Sequence, residues 1–121
     1  MAVLVGTKWG TSQTLGTSGG VVTWSITPPG TDITRFQSDG AQGSTSVDPA
    51  SFISIDFLTT LRQAFDRWAA VANIEFIQVV DQGGAAATAS VYPDIRISFG
   101  LIDGPGGFAD GFTYYPPPNG G

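Results

Sequence analysis

The longest patterned stretch of the chain is residues 56–80, DFLTTLRQAFDRWAAVANIEFIQVV. Phe57, Leu58, Leu61, Phe65, Trp68 and Ala72 recur at steps of three and four, which lines them along one side of a helix. Asp56, Thr59, Arg62, Gln63, Asp66 and Arg67 take the remaining positions. Phe65 and Trp68 are expected in the core, because large aromatic rings bury the most apolar area. Ser54 stands ahead of the start as a capping hydroxyl, and Asp56 suits the positive end of the helix dipole. Asn73 tolerates the left-handed backbone that ends many helices. From Ile74 to Val80 the period of 3.6 vanishes and β-branched and aromatic residues take over. The helix is therefore expected to turn directly into a buried strand.

Three further strands are predicted around this unit. In VVTWSI, residues 21–26, Val22, Trp24 and Ile26 share one face and Val21, Thr23 and Ser25 the other. Pro28-Pro29-Gly30 stops it. In DIRISFG, residues 94–100, Ile95, Ile97 and Phe99 alternate with Arg96 and Ser98, and Pro93 fits just before a strand start. FTYY, residues 112–115, is a short strand that Pro116, Pro117 and Pro118 end. Between these lie polar, glycine-containing segments. Residues 1–20 read as a loose lead-in anchored by Trp9, and residues 31–46 as a long loop with Ile33 and Phe36 turned inward. Asp48-Pro49 reads as a first helical turn or a turn before the main helix, and residues 81–90 as a surface loop.

The order strand, helix, strand, strand, strand implies a right-handed crossover and a parallel pair. The last strand follows a tight turn and is expected to run antiparallel at an edge. The fold class is α+β with an α/β-like core: one twisted, mostly parallel, four-stranded sheet with an antiparallel edge strand and one long packed helix. At 121 residues, residues 1–121 make a single domain or part of one, with no internal repeat.

Composition narrows the chemistry. Five Lys and Arg face ten Asp and Glu, a net charge of −5, and Lys8, Arg35, Arg62, Arg67 and Arg96 are scattered. Nucleic acid and anionic membranes are poor partners for such a surface. No apolar run reaches the roughly 20 residues of a membrane span, and residues 1–10 lack the plan of a signal peptide. With no Cys and no His, thiolate and histidine mechanisms and histidine-ligated zinc are excluded on these residues. Aspartates, hydroxyls, tyrosines and backbone remain, and aspartate oxygens suit hard ions such as calcium.

Two stretches carry the candidate chemistry. DGPGGFAD, residues 103–110, lets carbonyl oxygens converge between two aspartates, as a calcium loop requires; it reads equally as a plain Gly-Pro turn. Phe112, Thr113, Tyr114 and Tyr115 form an edge strand able to pair with an extended peptide, or an ordinary edge strand with surface tyrosines. Asp48, Asp56 and Asp66 read as solvated charges, and no pair of carboxylates has the apolar setting that general acid/base work needs.

Taken together, LRQAFDRWAAVANIEFIQVVD, DIRISFG and DGPGGFADGFTYYPPP resemble the N-terminal, upper subdomain of a metzincin zinc peptidase. The opening GTKWG and VVTWSI are similar to the start of serralysin-type domains, and the likeness to serralysins and matrixins spans nearly the whole chain. The resemblance implies a secreted zinc metalloendopeptidase exported without an N-terminal signal, with residues 21–121 as the upper subdomain. It implies that residues 112–115 line the substrate cleft and pair with bound peptide or protein substrate. It also implies a structural calcium at Asp103, Gly104, Gly106 and Phe108.

The family's HExxHxxGxxH helix, with three zinc-binding histidines and a glutamate base, and its Met-turn have no counterpart in this sequence. Zinc is thus expected only in a longer protein, and the chain is expected to be inactive alone. The likeness implies that zinc-bound water, activated by that glutamate, attacks the peptide carbonyl in the missing half. A non-enzymatic module that holds a peptide or partner chain along its edge strand, or self-associates, is the alternative.

Overall fold

In the computed structural model the described residues are 14, 17–34, 37, 41–51, 53–84 and 93–101. They form the strands β1 (Gly20–Ile26), β2 (Ile74–Gln78) and β3 (Ile95–Ile97) and the helix α1 (Phe57–Ala72) between β1 and β2. The sheet order is β2-β1-β3, and both pairings are parallel. The α+β class and the parallel pair around α1 agree with the sequence pattern. The described sheet has three parallel strands rather than four with an antiparallel edge. The predicted fourth strand, Phe112, Thr113, Tyr114 and Tyr115, lies outside the described residues.

The helix ends where its sequence says, with one change at the start. Asp56, not Ser54, is the cap: its carboxylate accepts from the Thr59 backbone N–H at 3.1 Å and from the Thr59 hydroxyl at 2.6 Å. A carboxylate can accept both bonds from Thr59 and also sits well against the dipole, which an exposed hydroxyl two residues earlier cannot match. At the other end Asn73 takes φ 52° and ψ 46°, and β2 begins at the next residue. A short 3-10 turn at Pro49–Ser51 precedes α1, as Asp48-Pro49 suggests.

α1 packs against the sheet through Phe65, and Leu58, Leu61, Phe65, Ala69 and Ala72 on it are half-buried. Phe65 is the hub. Its ring centroid is 4.7 Å from Trp24 on β1 and 4.8 Å from Phe76 on β2. Phe57 meets Phe99 edge-on at 5.5 Å. Such aromatic pairs add about 0.5–1.5 kcal/mol each beyond their buried area. Val22 and Trp24 are the most buried large side chains here, at 1% and 2% exposure.

Two expectations about burial fail. Trp68 is 66% exposed rather than in the core. Three residues on from Phe65, it stands roughly 60° round the helix from it, while Ala69 is half-buried. β2 is not buried on both sides either. Ile74 and Phe76 are half-buried, whereas Glu75 and Ile77 are exposed.

Residues 30–33 and 44–46 are bonded to each other rather than forming a plain loop. Asp32 and Thr45 form an antiparallel bridge, and Gly30, Ser46 and Ile33 donate backbone bonds to Ser46, Thr31 and Ser44. Ile33 is turned inward as expected, at 3% exposure, while Phe36 lies outside the described residues. A Cβ at Gly100 would come within 2.9 Å of the Ile33 Cδ1, so a larger residue there would require the tip of the Ile33 side chain to shift.

The segment ahead of β1 is fastened as well. The Gly19 N–H donates to the Asn73 carbonyl at 3.0 Å, so the chain enters β1 against the end of α1. Trp9 is outside the described residues.

Candidate functional site

The strand alternation that turns Val22 and Trp24 to α1 turns Thr23, Ser25 and Thr27 the other way. On β3 the same rule sends Asp94, Arg96 and Ser98 to that second face. The register pairs Ser25 with Arg96, and side chains then join along the strands. Asp94 Oδ2 accepts from the Thr23 N–H at 2.8 Å and from its hydroxyl at 3.0 Å. The Thr27 hydroxyl donates to Ser98 Oγ at 3.1 Å. Between these pairs sits Asp81, three residues past the end of β2.

Asp81 is the centre of this arrangement. Arg96 forks onto it, with Nη2 2.7 Å from Oδ1 and Nε 2.7 Å from Oδ2. The Ser25 hydroxyl donates to Oδ2 at 2.7 Å and the Gly83 N–H to Oδ1 at 2.8 Å. Arg96 Nη1 donates to the Gly84 carbonyl at 3.0 Å. The Asp81 and Arg96 side chains are 1% and 11% exposed. A two-point fork in a buried setting is the strongest form of this pair.

The bonds from the Arg96 guanidinium, the Ser25 hydroxyl and the Gly83 N–H outweigh the effect of burial and lower the Asp81 pKa to about 2. Each carboxylate oxygen already accepts two bonds, which uses the acceptor sites a carboxylate has. Asp81 is thus a fixed anion that ties β1, β2 and β3 together, and it has no capacity left to act as a general base.

The other aspartates behave as the sequence suggests. Asp48, Asp56 and Asp66 are exposed. Asp32 and Asp56 have lowered pKa values because each accepts from a nearby threonine, Thr34 and Thr59. Among the described residues no three Asp or Glu side chains come together as a metal would need. An open hollow lies past the ends of β1 and β2, where ligands of parallel sheets often bind, lined by Ile26, Pro28, Gln78, Val79, Val80 and Asp81. Its polar members are committed: Asp81 to Arg96, and the Gln78 Oε1 to Arg62 at 2.7 Å and 3.0 Å.

The outer side of β3 is the second feature of interest. The carbonyls of Ile97, Phe99 and Leu101 accept from Thr27, Val47 and Gln42, all on the β1 side. Alternation turns the backbone groups of Arg96, Ser98 and Gly100 to the opposite side. Among the described strands β3 is an outer one.

The candidate residues named from the sequence fall in the segment after β3. Asp103, Gly104, Gly106, Phe108, Phe112, Thr113, Tyr114 and Tyr115 lie outside the described residues. What sequence reasoning missed is the Asp81–Arg96 pair. Its signal is present: Arg96 is the one charge inside the alternating IRISF run, and Asp81 directly follows the apolar end of residues 74–80. A lone arginine on a strand face asks for a carboxylate partner. No helix among the described residues is long and apolar enough to cross a membrane. No protein-family model, no curated protein and no solved structure matches the chain.

Proposed function

We propose that this chain is the upper wall of the substrate cleft in a secreted zinc metalloendopeptidase of the metzincin type, serralysin- or matrixin-like. The observation that carries the reading is the outer side of β3. Ser98 and Gly100 turn their backbone groups away from β1, beside a strand whose other side is already taken up. In the proposed four-stranded sheet, residues 112–115 follow as the antiparallel edge strand and hold an extended peptide by main-chain bonds. Calcium belongs to the same reading, bound by Asp103, Gly104, Gly106 and Phe108 in the turn before that strand.

The chain's own residues do not fit zinc. It has no His and no Cys, and no three acidic side chains converge among the described residues. No catalytic step is therefore assigned to it. Its share of the work is to position a peptide, and the cutting belongs to residues beyond this sequence. The second reading is a non-enzymatic module that binds a peptide or partner chain along the same edge strand.

The intact mass and zinc content of the protein from its native source separate the two. A mass well above 12.6 kDa with about one zinc per chain is expected. A zinc-free product of 12.6 kDa would overturn the peptidase reading and leave the module.

A further inference from the structure

We draw no further inference here: the strongest candidate, the exposed apolar ridge that Trp68 and Val71 form on α1, carries nothing, because nothing in the structure shows what covers it.

Discussion

Val22 and Trp24 face α1, while Thr23 and Ser25, their neighbours in sequence, face the other way. The first face is held by aromatic contact: Trp24 on Phe65, and Phe65 on Phe76. The second is held by directed bonds: Thr23 with Asp94, Ser25 and Arg96 with Asp81, Thr27 with Ser98. Apolar contact is strong and poorly directional, so it favours a compact sheet without choosing one alignment. Hydrogen bonds to a buried carboxylate are directional and costly to leave unmade. A slip of one residue would exchange the two faces, and a slip of two would separate Ser25 from Arg96. The helix face thus supplies most of the stability, and the polar face fixes the register of β3 on β1.

The sharpest way to break this division is to empty the helix face. Trp24→Ala removes the side chain that Phe65 packs on and leaves a cavity under α1. The expected loss is about 3–5 kcal/mol, read as a large fall in the urea midpoint or as failure to fold. A loss under about 1 kcal/mol would show that this face is not the main source of stability.

On the polar face, Asp81→Ala leaves the Arg96 guanidinium buried without its carboxylate. The expected cost is about 3 kcal/mol, because an unpaired buried charge is worse than no charge. Asp81→Leu combined with Arg96→Met is expected to recover much of that loss in the same urea titration. Its β3 amides should still exchange faster with solvent than the wild type's, as the register bonds are gone. Full protection of β3 in the double variant would show that apolar packing alone sets the register.

Acid probes the same bonds without mutation. The Asp81 pKa is lowered to about 2 in the folded chain, from 3.8 for a free aspartate. The stabilisation from its ionised form is therefore complete above about pH 4 and is lost as pH falls towards 2. The expected loss over that window is about 2 kcal/mol from this group. Asp81→Asn should flatten that part of the pH–stability curve, and an unchanged slope would remove Asp81 from the acid response.

These two faces were unequally legible from sequence. Residues 57–73 announce a helix by their three- and four-residue spacing and their Asn73 stop, and β1 and β3 announce themselves by alternation. Periodicity reports local geometry, so it serves well there. It does not report how wide the opposing layer is. The half-buried stripe on α1 is narrow and includes Ala69 but not Trp68. Nor does it report which charge meets which. Asp81 and Arg96 are 15 residues apart, and only the parallel register brings them together. The bonding between residues 28–33 and 44–46 was hidden for a related reason. These residues are mostly polar, and buried Thr31 and Ser46 are stabilised by bonds to each other and to Pro28 rather than by an apolar pattern.

Trp68 provides the smallest effect and the finest test of the helix face. Phe65 and Trp68 of α1 follow the same spacing, yet Phe65 touches two strands and Trp68 is 66% exposed. If burial rather than residue type decides the contribution, Phe65→Ala should cost about 3 kcal/mol. Trp68→Ala should stay within about 0.5 kcal/mol of the wild type. Both are read from urea unfolding of the same chain at low protein concentration. A loss of about 2 kcal/mol for Trp68→Ala would mean that the ring is covered in solution. Repeating the titration at higher protein concentration then identifies the cover. A midpoint that rises with concentration for the wild type but not for Trp68→Ala would assign it to a second copy of the chain, since only association makes stability depend on concentration.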